Sequence, residues 1–314
     1  MNSRNDSTAR LKSKLLALSL SAALAQWGVA LSAVPPRTPQ TWTVLNCSDD
    51  DTDSLRFFVE ENPNTVSGDT IDLSHLPISC GAADSTIMLS SEITIAQDAL
   101  TLKGPAPGSG TVTISGGGAH QVFHHTGYGW LSITNLVIAD GDNEAITSVF
   151  GGCIFSNGSV NLDTASVTGC TASSALGYAL GGGIAAGYDV QLVNATISGN
   201  LATAPSAQGR GGGIYARGAL LSKYSSVRDN EASSSYTFSQ GGGAIVFGGA
   251  GVYHSSITSK QAGVGGGLAA IGVTHVANST ISGNRSAICS GLVVSSGSST
   301  SLEISNSTIA ANYS

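Results

Sequence analysis

The residues that could carry chemistry are few and scattered. Beyond residue 116 the acids are Asp140, Asp142, Glu144, Asp163, Asp189, Asp229, Glu231 and Glu303. Glycoside hydrolysis needs two carboxylates facing one bond within about 10 Å. A polysaccharide lyase needs a base, with a cation to hold the developing enolate. Asp229 beside Arg228, with Arg210 and Arg217 near it in the repeat, is the best catalytic candidate by these criteria. Its plainer reading is a solvated loop edge. Upstream, "DDDTDSLRFFVE" places Asp49, Asp51, Asp53 and Glu60 at positions 1, 3, 5 and 12 of a calcium-binding loop. Position 6 is Ser54 where that loop needs glycine, and no helix precedes Asp49. His120, His124 and His125 cluster in "HQVFHHTG" without a carboxylate close in sequence, so they read as rim histidines rather than metal ligands. "GGGIYA" and "GGGLAA" match the loose form of a dinucleotide fingerprint but lack its strand–turn–helix setting. The sequence calls for no cofactor.

Composition narrows the classes. A net charge of −7 with no basic stripe argues against nucleic acid. With 41 glycines and a mean hydropathy of +0.17, the chain is too apolar to be disordered and suits a fold of small stacked side chains. Arg4, Arg10, Lys12 and Lys14 precede an apolar run, Leu15–Leu24, and Ala23-Leu24-Ala25 fits a cleavage site. Residues 1–25 therefore read as a signal peptide and 26–40 as a linker, which places the protein outside the cell or on its outer surface. No later segment reads as a membrane-crossing helix. Export permits disulfides. Of the five cysteines, Cys47 and Cys80 lie outside the repeats and are expected to staple the N-terminal region; the odd count leaves at least one over.

The elements that must position these residues are repeats. "GGCI" at 151, "GGGI" at 181 and 211, "GGGAI" at 241 and "GGGL" at 265 are spaced by 30, 30, 30 and 24 residues. From each first glycine to the β-branched residue Val167, Ile197, Val227, Ile257 or Ile281 the interval is always 16. A constant interval implies a fixed backbone path, and the variable remainder a surface loop. Apolar columns recur in register, such as Ile154, Ile184, Ile214, Ala244 and Leu268. Short β-branched runs without hairpin turns predict parallel strands stacked one turn on the next, each turn covering its neighbour's apolar face. The predicted fold is all-β, a parallel β-helix of right-handed winding by the crossover rule, with a short N-terminal capping helix. The cap and first strands span 41–115 and the repeats 116–314. "DSLRFFVEEN" predicts that helix, with Asp53 as its N-cap. The strands expected after it are "DTIDL", "STIML", "EITI" and "ALTLKG". The sequence stops inside a repeat, at "NSTIAANYS", which predicts an uncapped or truncated end.

"NATISGN" at 194–200 and "NSTISGN" at 278–284 match glycosylation acceptors. In register, their first residue joins the column Asn135, Thr164, Asn194, Tyr224, His254, Asn278 and Asn306. Asn135, Asn194, Asn278 and Asn306 are expected to form a hydrogen-bonded side-chain ladder. The last residue gives Asn200, Asn230, Asn284 and Asn312, expected at a tight turn.

"GGAI" at 242–245, with the I-x-x-N of "TISGN" and the V-x-x-N of "SVRDN", resembles the GGAI and FxxN repeats of polymorphic outer membrane proteins. The segment from "TVLNCSDDDTDSLRFF" to "LTLKGP" is similar to the CSLREA-type N-terminal segment of bacterial secreted right-handed β-helix proteins, keeping Ser54-Leu55-Arg56 of that motif. The resemblance implies the pectin-lyase-like fold group and an adhesive or structural role outside the cell. The expected function is non-enzymatic, with a polysaccharide or a cell-surface protein as partner. The alternative is a polysaccharide lyase or glycoside hydrolase of that fold.

Overall fold

A three-residue strand buries too little to hold itself, so these strands persist only where each lies between two like itself. In the computed structural model, residues 37–77, 80, 84–235, 239–258, 261–295 and 300–314 are described. The expected signal peptide and most of the linker lie outside them. From Pro39 onward the chain winds into a parallel β-solenoid. One turn reads Ile154–Ser156, Ser159–Asp163, Ser166–Thr168, Thr171–Ser174 and Ala179–Leu180, and the next begins at Ile184–Ala186. Three long sheets result, of eight, ten and nine strands, built from the first, second and third of these segments. All pairings within them are parallel, and a turn rises by about 4.8 Å.

The register follows the sequence columns. Ile154 pairs with Ile184, Ile184 with Ile214, and Ala244 with Leu268. Val167, Ile197, Val227 and Ile257 pair in succession on the nine-stranded sheet. These side chains point inward and are wholly buried, each Val, Leu or Ile contributing about 1.5–3 kcal/mol of apolar transfer. Ser222 interrupts its leucine column but remains buried by donating to Ser255 Oγ at 3.1 Å. In the last turn Ile304 and Ile309, in inward columns, are exposed.

Each glycine of the triplet meets a different requirement. Gly181 has φ of +73°, and a Cβ there would lie 2.0 Å from the Ile184 carbonyl oxygen. A Cβ on Gly182 would lie 2.2 Å from Gly212 O of the next turn. On Gly183 it would reach Asn200 Cγ at 3.0 Å. The third glycine therefore makes room for a buried asparagine.

That asparagine carries the ladder, which corrects the sequence expectation. Asn200 Nδ2 donates to Asn230 Oδ1 at 2.9 Å and to Val167 O at 3.1 Å; Asn284 Nδ2 donates to Asn312 Oδ1 at 2.8 Å. The same Oδ1 atoms accept the backbone N–H groups of Asn200 and Asn284. Asn135, Asn194, Asn278 and Asn306 instead occupy the corner between the ten- and nine-stranded sheets, with φ between +47° and +54°. Among the described residues their side chains make no hydrogen bonds to one another. The left-handed corner turns them outward, and asparagine suits it for its backbone tolerance. In place of Asn one turn earlier stands Cys170, bonded to Cys153, which occupies the third-glycine position.

The N-terminal segment makes a short helix as expected, ending in the wider winding of Phe57–Glu61, where Asn62 N donates to Phe57 O at 2.8 Å. Its cap is Ser54, not Asp53: Ser54 Oγ accepts from Phe57 N at 3.1 Å, whereas Asp53 is held at φ of +65°. Leu55, Phe58 and Val59 are buried with Val44 and Ile71. The four expected strands follow as Thr70–Asp72, Asp84–Met88, Ile93–Ile95 and Leu100–Lys103.

Asparagines at the two kinds of corner should therefore differ in cost. Asn230→Ala strands Ile197 O and the Asn200 donors, at about 1–3 kcal/mol for each buried group left unpaired. Asn194→Ala adds only left-handed strain, about 1 kcal/mol. Urea unfolding should show the first well below wild type and the second close to it.

Candidate functional site

The residues singled out from sequence are largely committed to structure. Arg228 and Asp229 pair with each other at 3.0 Å on the solvent side. Asp229, at φ of +56°, stands where Gly169 and Gly199 stand in the turns before, so it shapes a corner. Asp49 and Glu60 converge on a guanidinium. Arg56 Nε and Nη2 grip Asp49 at 3.0 and 2.9 Å, and Nη1 reaches Glu60 at 2.9 Å. Arg56 also donates to the carbonyls of Ser91 and Glu92, closing the helix onto the first turns. Burial opposes the Asp49 charge, but hydrogen bonds from Arg56 and Ser90 outweigh it and hold this carboxyl below the usual range. Asp51 and Asp53 are exposed beside this knot. Among the described residues no group of three or more His, Cys, Asp or Glu is placed to hold a metal ion. Cys47 and Cys80 are joined by a disulfide with Cα atoms 5.7 Å apart. Cys289 is free and exposed.

The histidines divide. His125 is no rim residue: it is fully buried, with Nδ1 at 2.7 Å from Ser156 Oγ and Nε2 at 3.0 Å from Gln97 O. It points inward because it alternates with His124 along the strand Phe123–His125. His124 faces out, 3.5 Å from Glu92, and stacks on Phe155 at 4.9 Å.

The outer side of the eight-stranded sheet holds the most site-like geometry. In the outward column Phe155, Ala185 and Tyr215 pair in successive turns. The sequence large–small–large leaves a hollow above Ala185. Beside it, at the corner into the ten-stranded sheet, Tyr128 and Tyr188 flank Gly158. The small Ala185 side chain between bulky neighbours leaves a cleft of about 430 Å³ there. Phe155 and Phe150 stack at 5.1 Å on one wall, Tyr215 stands on the other, and Asn157 and Arg217 supply the polar lining. Tyr128 and Tyr188 are exposed, at 68% and 52%. Arg217 has no ion-pair partner among the described residues. Sequence reasoning passed over this site because outward columns are visible only once the inward ones are fixed. The Phe-Ala-Tyr alternation four residues after successive glycine triplets was the available signal.

A second, acidic hollow of about 420 Å³ lies beyond His124, lined by Glu92, His120, Gln121, Asp142, Asn143 and Glu144. Asp142 and Glu144 share one face of the strand Asp142–Ala145. Asp142 Oδ1 is buried without a partner among the described residues. Burial, and then the neighbouring Glu144 charge, push the Asp142 carboxyl above its usual range.

No known protein family and no curated protein matches the chain. No helix among the described residues is long and apolar enough to cross a membrane.

The buried imidazole sets a pH dependence. Burial pushes the His125 pKa down, against the pull of the Gln97 carbonyl. A depressed base contributes stability that is complete above the unfolded value of about 6.5 and is lost as pH falls through the folded value. Chemical denaturation from pH 8 to 5 should show stability declining below about pH 6.5, and His125→Gln should remove that part of the decline.

Proposed function

We propose that the chain is a non-enzymatic β-solenoid that acts outside the cell or on its outer surface, binding a partner through its lateral face. The finer kinship belongs to the same proposal: right-handed winding, a CSLREA-type N-terminal segment, and repeats like those of polymorphic outer membrane proteins within the pectin-lyase-like group. The observation that carries the binding role is the aromatic cleft, whose wall and rim residues offer ring faces, an amide and a guanidinium but no carboxylate. Such a lining recognises a surface without supplying a general acid and base. The Arg228–Asp229 pair is left out of this role, since each neutralises the other in solvent.

A second reading is favoured by Asp142. A carboxyl with a raised pKa next to a second carboxylate is the arrangement a glycoside hydrolase uses for its acid and base. In that reading Asp142 protonates the leaving oxygen and Glu144 serves as base or nucleophile.

Incubation of the purified chain with immobilised polysaccharides and with intact cells separates the two. The binding reading predicts saturable retention, with the length of every polysaccharide unchanged. Depolymerisation that is abolished by Asp142→Asn and kept by Asp229→Asn would establish the hydrolase instead.

A further inference from the structure

We infer that the cleft between Tyr128 and Tyr188 is a saccharide subsite that seats about two adjacent pyranose rings. This deepens the binding role proposed above and rests on it. The two tyrosines stand two turns apart, a separation of about 10 Å, which is the length of a disaccharide. Their position at a corner leaves both rings exposed on the rim of the cleft. The floor is apolar and shallow because Ala185 sits where Phe155 and Tyr215 flank it.

The chemistry favours a sugar over a purely apolar guest. A pyranose presents a ring of C–H groups on its face and hydroxyls around its edge. Aromatic faces accept the first, and the hydroxyls need donors and acceptors at the rim. Asn157 and Arg217 line the same cleft. Asn157 is already oriented by donating to Thr126 O at 3.2 Å, so its carbonyl oxygen retains acceptor capacity. The Arg217 guanidinium, without an ion-pair partner among the described residues, can donate in a fork to vicinal hydroxyls or to a ring carboxylate. Both neutral and acidic sugars meet this description, and the test separates them.

The sequence pattern is consistent with a site rather than an accident of stacking. An unbroken column of bulky outward residues would close the hollow, as further along the solenoid, where Ile245 follows Tyr215 in the column and Phe247, from the neighbouring column, packs on Tyr215 at 5.7 Å. The segment "IAAGY", residues 184–188, instead combines Ala185, the small residue of the floor, with the tyrosine that forms a wall.

The test is titration calorimetry of the purified chain with neutral hexasaccharides (β-1,4-glucan, β-1,4-xylan, α-1,4-glucan) and acidic ones (oligogalacturonate, oligoguluronate). Binding of at least one class is expected. Tyr188→Ala should weaken it tenfold or more, and Ala185→Phe, which adds bulk at the floor of the hollow, should abolish it. Tyr188→Ala should keep the wild-type unfolding midpoint, since Tyr188 is exposed; Ala185 is buried in the outward apolar cluster, so Ala185→Phe is read only with its own unfolding midpoint beside it. A preference for the acidic class that Arg217→Gln removes would assign the guanidinium to a carboxylate; equal affinity for both classes would assign it to hydroxyls. The inference is overturned if no hexasaccharide binds, if binding survives both cleft variants, or if a proline-rich peptide binds the cleft in place of every sugar. Retention on cells that is unaffected by the cleft variants would overturn the subsite while leaving the broader binding role in place.

Discussion

The fold depends on one buried interaction, the amide of Asn200 held between Val167 O of the preceding turn and Asn230 of the next. A solenoid of short parallel strands has no hairpins to fix its register, and a slip of one residue would turn every inward column outward. The asparagine resists that slip because its carboxamide meets backbone and side-chain partners in two turns at once, in a space where an unmet donor is costly. The third glycine of each triplet exists to admit it. Where the ladder gives way to Cys170, a disulfide to Cys153 links the same two positions covalently. A serine series runs in parallel at the neighbouring corner: Ala195 N, Ser225 N and Ser255 N donate to the hydroxyls of Ser225, Ser255 and Ser279 in succession.

With the interior so constrained, variation is confined to what points outward. The inward columns repeat conservative apolar residues, whereas the outward column of the eight-stranded sheet runs His124, Phe155, Ala185, Tyr215, Ile245 and Ala269. Features appear where that column breaks. The aromatic cleft and the acidic hollow adjoin across the stacked His124–Phe155 pair, so one lateral region concentrates the surface chemistry. At the N-terminal end, Arg56 is drawn into a different task. It binds two carboxylates and two carbonyls, and Ser54-Leu55-Arg56 divides its work by residue: one caps the helix, one is buried, and one ties the helix to the solenoid.

Much of this was legible in the sequence, and the failures have physical causes. The constant 16-residue interval fixed the inward columns because only a repeated backbone path preserves it. The two asparagines of "NATISGN" exchanged roles because both lie at corners, and sequence spacing does not say which corner turns its side chain inward. The seventeen residues from Gly183 to Asn200 equal those from Cys153 to Cys170, so the disulfide itself marked the inward position. His125 was misplaced at the rim because neighbouring residues of a strand face opposite ways, and a histidine cluster hides that alternation. The cleft was invisible because it rests on one small residue, Ala185, between bulky neighbours that only the register brings together.

The register is the central claim, and cross-linking tests it most directly. Asn161 and Gln191 are paired across adjacent turns on the outer surface of the ten-stranded sheet, at a separation a disulfide spans. With Cys289 replaced by serine, the double variant Asn161→Cys, Gln191→Cys should oxidise almost completely to an intramolecular bond, read by mass spectrometry. The pair Asn161→Cys, Val193→Cys, shifted by two residues on the same face, should remain largely reduced. Equal cross-linking of both pairs, or preference for the shifted one, would contradict the account.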